Sequence, residues 1–124
     1  MNKPLALLLS SRGLIATQLE QRLESLRYRM AALAAPDELV ARAEAEKPMV
    51  VFADLEGAEE PVTLAVERLR ARAATSHLPV IGFRREMDDA AQASFIERGF
   101  TLTVNEAAIL SHLPQLLDRA LDVT

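Results

Sequence analysis

Several residue types that build specialised sites are scarce in this 124-residue chain. Cysteine is absent, which excludes a disulfide framework and a metal site made of thiolates. Glycine occurs only four times and never in a cluster, so the sequence offers no glycine-rich loop for the phosphates of a nucleotide or flavin. The two histidines, His77 and His112, lie far apart without carboxylates at metal-ligand spacing. We expect them at the surface or at helix ends rather than in a zinc or catalytic site.

Long apolar runs are also missing. The first run, Leu5–Leu9, is too short for a signal sequence or a membrane span, so we expect a cytoplasmic protein that does not bind membranes. A net charge of −4 at pH 7 argues against direct binding to nucleic acid. Half of the residues are apolar, and the length suits one globular domain, which we place at residues 1–124.

Short apolar segments alternate with amphipathic segments five times along the chain. The predicted strands are Leu5–Leu9, Tyr28–Ala34, Pro48–Leu55, Val80–Phe83 and Thr101–Val104. Each is followed by apolar residues at helical spacing. The last predicted helix contains Pro114, which we place in its first turn with Ser111 as the N-cap. This alternation predicts an α/β fold, a doubly wound five-stranded parallel sheet covered on both faces, with the flavodoxin-like strand order 2-1-3-4-5.

The third predicted strand ends in a single carboxylate, Asp54. A buried apolar strand does not hold a charge along its length, so we expect Asp54 just past the carboxyl end of that strand. In an open parallel sheet, ligands and chemistry collect at this edge. A small-molecule site at the same edge is a generic alternative for this architecture.

Sequence landmarks around Asp54 resemble those of a known family. Val51-Phe52-Ala53-Asp54 matches the strand of the phosphorylated aspartate, and Leu78-Pro79-Val80-Ile81 matches the start of the next strand. Leu69-Arg70 and Gly99 match positions on the third helix and after the fourth. On these residues the whole chain resembles the receiver domains of response regulators, the CheY-like family. The resemblance implies that Asp54 stands at the phosphoacceptor position.

The family's phosphorylation site contains further groups, and this chain replaces them. Two acids after the first strand hold Mg²⁺ in receivers, and Ser10 and Ser11 stand at those positions here. A serine or threonine that ends the fourth strand binds the phosphoryl group, and Arg84 stands at that position.

The fifth strand departs from the family in the same way. Thr103 matches the aromatic residue that rotates on activation, although Phe100 is close. Glu106 matches the lysine that pairs with the phosphoryl group, and both lysines of the chain precede Asp54, so no realignment restores one. Electrostatic stabilisation is the largest contribution to phosphoryl transfer, so we expect phosphorylation without the metal acids to be slower by orders of magnitude.

These departures favour a pseudo-receiver, a non-enzymatic signalling module without cofactor that binds a protein partner. The alternative is a phosphorylatable regulator that takes phosphate from a histidine kinase onto Asp54 and requires Mg²⁺. We expect Arg84 or Arg85 to form an ion pair with Asp54, because arginine binds carboxylates bidentately. Ser10–Gly13 precedes a helix and is interpreted as ordinary N-capping rather than an anion site.

The partner of a pseudo-receiver would be a histidine kinase or an effector domain. In receivers, the face formed by the fourth helix, the fifth strand and the last helix docks partners or forms homodimers. The resemblance therefore points to residues 87–121, with Gln92, Arg98 and Gln115 as outward side chains.

Overall fold

The computed structural model describes residues 3–122 of the chain. Its strands are β1 (Leu5–Leu9), β2 (Arg29–Leu33), β3 (Val50–Asp54), β4 (Val80–Arg84) and β5 (Leu102–Asn105). Its helices are α1 (Gly13–Ser25), α2 (Leu39–Glu46), α3 (Glu59–Ala71), α4 (Asp89–Glu97), α5 (Glu106–Ser111) and α6 (Leu113–Leu121), with a 3-10 turn at Pro36–Glu38. Within the described residues, no helix is both long enough and apolar enough to cross a membrane.

All neighbouring strands pair in parallel, in the order β2-β1-β3-β4-β5. The predicted fold class and strand order are therefore confirmed. Residues of β1 and β3 are buried throughout, because helices cover both faces of the central strands. The edge strands β2 and β5 are only partly buried.

The core has two layers, one on each face of the sheet. The first layer lies between the sheet and α2, α3 and α4, and the second lies between the sheet and α1, α5 and α6. Side chains alternate between the layers along each strand. On β4, Val80 belongs to the first layer, whereas Ile81 and Phe83 belong to the second. This alternation decides below which charged side chains can meet.

The last predicted helix is two helices, and its predicted cap is wrong. Ser111 ends α5, and its hydroxyl donates to the Ala107 carbonyl oxygen at 2.7 Å instead of capping the next helix. The residue that precedes α6 is His112, which makes no side-chain capping bond. Pro114 does lie in the first turn of α6, where its missing N–H breaks no helical hydrogen bond.

Gly82 allows a close approach between β4 and a buried aromatic ring. A Cβ atom at this position would lie 2.7 Å from Cδ2 and Cε2 of Phe100 and 3.2 Å from Cδ1 of Leu55. The ring of Phe100 therefore lies directly on the backbone of the sheet. It also meets the ring of Phe95 edge to face, with ring centroids 5.6 Å apart. This contact packs the C-terminal end of α4 against the sheet.

Candidate functional site

Asp54 is the last residue of β3, and its side chain is only 2% exposed. A buried carboxylate is stable only when donors or cations satisfy it. Both carboxylate oxygens accept hydrogen bonds, from Ser10 Oγ (2.8 Å) and Arg12 Nε (2.7 Å) at Oδ2, and from Arg12 Nη2 (2.9 Å) and the Glu56 backbone N–H (3.0 Å) at Oδ1. Asp54 is thus held by a bidentate guanidinium with two supporting donors.

The turn after β1 aims Arg12 at Asp54. The Ser10 hydroxyl accepts a hydrogen bond from the Arg12 backbone N–H at 3.0 Å while donating to Asp54. This local turn brings the Arg12 side chain over the end of β3, because β1 and β3 are neighbours in the sheet. Ser11 is exposed, and α1 begins without a side-chain cap, so the predicted N-capping role is wrong.

Glu106 is a second carboxylate in contact with Arg12. Arg12 Nη2 lies 2.6 Å from Glu106 Oε1, so the two side chains form an ion pair. Asn105 caps α5 by accepting from the Ala108 N–H at 2.8 Å, which places Glu106 in the first turn. The hydrogen bond to Asp54, and to a lesser extent Glu106, raises the pKa of Arg12 further above its ordinary value.

The predicted pair between Asp54 and Arg84 or Arg85 is wrong. Arg84 forms its ion pair with Glu59, donates to the Glu86 carbonyl oxygen at 2.8 Å and lies over the ring of Phe95. The reason is strand alternation. Asp54 pairs in register with Phe83, on the face of α1 and α5, so the next residue along β4 points to the opposite face. Among the described residues, no ion pair joins Arg85 to Asp54.

Comparisons with known proteins identify the architecture. No protein-family model matches the sequence, and no curated protein matches it. The structure resembles the receiver domain of a sensor histidine kinase from Pseudomonas aeruginosa, with a TM-score of 0.84, 19% identity and coverage of 98% of this chain and 100% of that chain. It also resembles a response regulator from Thermotoga maritima, with a TM-score of 0.84, 14% identity and coverage of 98% of this chain and 100% of that chain. A third similar structure is the chemotaxis regulator CheY4 of Vibrio cholerae, with a TM-score of 0.78, 16% identity and coverage of 93% of this chain and 99% of that chain. The chain has the receiver-domain fold.

On this receiver fold, the matching site positions divide between the two faces of the sheet. Ser10 and Glu106 join the Asp54 cluster, whereas Thr103 and Arg84 do not. Thr103 pairs in register with Gly82 and is buried on the α3 and α4 side, where its hydroxyl has no hydrogen-bond partner within the described residues. The ring of Phe100 fills the space over Gly82 on the same face.

The donor set at Asp54 does not fit Mg²⁺. A magnesium ion requires several oxygen ligands at short distance, and carboxylates are the usual protein donors. Here Ser10 and Ser11 offer hydroxyl groups rather than carboxylates, and both oxygens of Asp54 already accept from Arg12. Among the described residues, no group of three or more acidic, histidine or cysteine side chains is placed to hold a metal. The guanidinium occupies the place where a cation would neutralise Asp54.

Cavity volumes argue against a small-molecule site at Asp54. The cavity that Asp54 lines, together with Ser10 and Ser11, measures about 40 Å³, far below the several hundred Å³ of small-molecule sites. A larger cavity of about 640 Å³ opens beside the loop after β4, but Asp54 does not line it, and Glu56, Arg84, Arg85 and Glu86 give it a charged wall. Neither cavity favours the small-molecule alternative at Asp54.

Proposed function

We propose that residues 1–124 form a pseudo-receiver, a single non-enzymatic signalling domain that binds a protein partner without Mg²⁺-dependent phosphorylation of Asp54. The observation that carries this proposal is the bidentate contact from Arg12 to Asp54, at 2.7 and 2.9 Å. An internal guanidinium neutralises the carboxylate in place of a metal ion. The domain therefore keeps the shape of a receiver with its central charge already compensated.

Phosphorylation would have to remove this arrangement. Either oxygen of Asp54 could attack a phosphorus atom only after losing Arg12 as a donor, together with Ser10 or the Glu56 N–H. The product would add negative charge beside Glu106, without a metal ion to offset it. In the receiver domain from Pseudomonas aeruginosa, by contrast, a magnesium ion is coordinated in the active-site cleft. Charge stabilisation of this kind dominates phosphoryl transfer. Among the described residues, no group of acidic, histidine or cysteine side chains is placed to hold such a metal ion.

The test is intact-mass spectrometry of the protein after incubation with a small acyl-phosphate donor, with and without Mg²⁺. We expect no added phosphoryl group in either condition. The matched control is Asp54→Asn, which removes the acceptor and should give the same spectrum. A receiver of established activity, treated in parallel, shows that the donor works.

The alternative function is a phosphorylatable regulator that takes phosphate from a histidine kinase. A mass gain of one phosphoryl group that needs both Mg²⁺ and Asp54 would establish it and overturn our proposal. A gain that persists in Asp54→Asn would locate the modification elsewhere and leave the proposal intact.

The face formed by α4, β5 and α6 is the proposed docking surface for the partner, which would be a kinase, an effector domain or a second copy of this chain. Gln115 is exposed on α6. Gln92 is half-buried, because its side-chain amide donates to the Thr103 carbonyl oxygen at 3.0 Å. Ile96 lies one turn further along α4 on the same side and is 49% exposed. Arg98 does not point outward on this face, since it pairs with acids of α3.

Sedimentation equilibrium tests the homodimer. We expect wild-type protein to associate at high concentration and Ile96→Glu to weaken that association, because a charge would replace exposed apolar surface at the interface. Leu64→Glu, on the outer surface of α3, is the matched control and should leave association unchanged. A monomer at every concentration would eliminate the homodimer and leave only a different protein as partner.

A further inference from the structure

A cavity of about 390 Å³ opens where α5 ends and α6 begins. Arg22 of α1 and Leu26 directly after α1 line one side, and Leu110, Leu113 and Pro114 line the other. The volume falls within the range of about 300 to 1,000 Å³ that is usual for small-molecule sites. Among the described residues that line this cavity, none belongs to the Asp54 site, to α4 or to β5.

The break between the two helices fixes an arginine at the wall of the cavity. A continuous helix would bond the Leu110 carbonyl oxygen to the N–H of residue 114, but Pro114 has no N–H. Arg22 Nε donates to that oxygen instead, at 2.8 Å. The backbone leaves helical geometry at His112, with φ −123° and ψ 28°. The Arg22 guanidinium is therefore anchored by a carbonyl group that the break leaves without a helical donor.

The anchored guanidinium carries a charge without a partner. Among the described residues, Arg22 forms no ion pair with a carboxylate, and its Nη groups make no hydrogen bond. Arginine keeps its positive charge at any ordinary pH and binds carboxylates through two parallel N–H groups. Arg12 has already used this capacity on Asp54. Arg22 can still offer it to a carboxylate from outside the chain.

The rest of the cavity wall is mainly apolar. Leu113 is 1% exposed, and Leu26 and Leu110 are half-buried against the same core layer. The hydroxyl groups of Ser25 and Ser111 also border the cavity, but each donates to a backbone carbonyl oxygen of its own helix. The arrangement is an apolar surface beside one cation with free donors.

We propose that this cavity binds a small monocarboxylate with a short alkyl chain. The chain packs against Leu26, Leu113 and Pro114, which removes apolar surface from water, and the carboxylate accepts hydrogen bonds from the Nη groups of Arg22. Because Arg22 is exposed, water weakens the ion pair, so we expect weak binding. The site does not depend on whether Asp54 is phosphorylated, so it can fail while the proposed function stands, and the reverse.

An NMR titration of the isotope-labelled protein with hexanoate tests the site. We expect saturable shifts of the backbone amides of Leu26, Leu110 and Leu113. Two matched probes separate the contributions of chain and charge. Acetate has the carboxylate without the chain, and hexylammonium has the chain with the opposite charge. Neither probe should give saturable shifts at these amides over the same concentration range.

Arg22→Gln tests the cation. We expect hexanoate affinity to fall about twofold to fivefold, the range for one exposed ion pair. Arg68→Gln, at an exposed position of α3, changes the net charge equally and should leave the affinity unaltered.

A second pair of variants keeps Arg22 and its bond to Leu110 intact. Ser25→Glu places a carboxylate one helical turn from Arg22, where it competes with hexanoate for the guanidinium. Ser25→Gln is similar in size without the charge. We expect hexanoate to bind Ser25→Gln at least twofold more tightly than Ser25→Glu.

Three results would overturn the proposal. The first is the absence of saturable shifts at the cavity amides of the wild-type protein. The second is equal affinity for hexanoate and hexylammonium, because the cavity would then be apolar without selecting charge. The third is equal hexanoate affinity in Ser25→Glu and Ser25→Gln, because the Arg22 guanidinium would then take no part in binding.

Discussion

Two arginines of this protein each contact two carboxylates, and the carboxylates of the two clusters differ in burial. Arg12 joins Asp54 and Glu106 at the end of the sheet, where the Asp54 side chain is 2% exposed. Arg98 joins Glu60 and Glu67 between α4 and α3, where the Glu60 side chain is 64% exposed. The number of charges is the same in the two clusters. Water competes for the second cluster and is excluded from Asp54 in the first.

Because of this difference in burial, we expect the two arginines to contribute differently to stability. Arg98 makes four hydrogen bonds to its acids, at 2.8 to 3.0 Å, yet exposed ion pairs contribute little because water solvates their charges almost as well. Water cannot replace Arg12 at Asp54 in this way, because Asp54 is buried. A buried carboxylate without a cation is strongly unfavourable. By hydrogen-bond geometry alone, Arg98 would be expected to contribute more to stability than Arg12. Because Asp54 is buried, we expect the contribution of Arg12 to be larger.

The largest expected effect is that of Arg12→Gln. It leaves the charge of Asp54 buried with only Ser10 and a backbone N–H as donors. We expect the free energy of unfolding to fall by about 3 kcal/mol, as when one partner of a buried pair is removed. Urea unfolding measures this loss, and Arg98→Gln is the control of equal charge change. If the two variants lose equal stability, burial is not what distinguishes the clusters.

The second prediction concerns Asp54→Asn combined with Arg12→Gln. Removing the stranded charge should recover about 1 to 2 kcal/mol relative to Arg12→Gln alone, because the penalty arises from the unpaired carboxylate rather than from a lost contact. Urea unfolding of wild type, both single variants and the double variant gives the coupling energy. A double variant less stable than Arg12→Gln would show that Asp54 stabilises the fold without its cation.

The fold could be predicted because its signals are local. Runs such as Leu5–Leu9 and Val50–Phe52 are buried on both faces, and amphipathic spacing identifies the helices between them. The division between α5 and α6 has no equally clear local signal. Pro114 signals a helix start, but Ser111 bonds backwards to Ala107, and a sequence does not show which of two competing bonds a hydroxyl makes.

The candidate site could be predicted only in part. Strand ends and family positions point to Asp54 and Ser10 but not to the partner of Asp54. Arg84 ends the neighbouring strand β4 and is the cation that the sequence suggests, yet one residue of register turns its side chain to the other face. Arg12 lies beyond β1, on the face that α1 covers, and only the three-dimensional turn at Ser10 brings it to Asp54. Its position three residues beyond β1, at the same sheet edge as Asp54, is the available signal.

A smaller effect is expected from Arg12→Lys, which separates charge from geometry. Lysine keeps the positive charge but lacks the planar fork that donates to both oxygens of Asp54. We expect a loss of about 1 kcal/mol, the size of one hydrogen bond. Urea unfolding beside Arg12→Gln tests this. A loss as large as that of Arg12→Gln would mean that the bidentate geometry, rather than the charge, stabilises Asp54.

The smallest effect belongs to Arg98 and is read from its dependence on pH. Hydrogen bonds from Arg98 lower the pKa values of Glu60 and Glu67 below their ordinary 4.5. A carboxylate whose pKa is lowered by folding stabilises the protein above its unfolded pKa and loses that contribution as pH falls through the folded value. The stability difference between wild type and Arg98→Gln should therefore be constant near neutral pH and shrink below about pH 4.5. Urea midpoints of both proteins across this pH range measure the stability difference. High salt, which screens the same charges, is a second way to weaken these ion pairs. A difference that persists in acid would show that Arg98 acts by packing between α3 and α4 rather than by its charge.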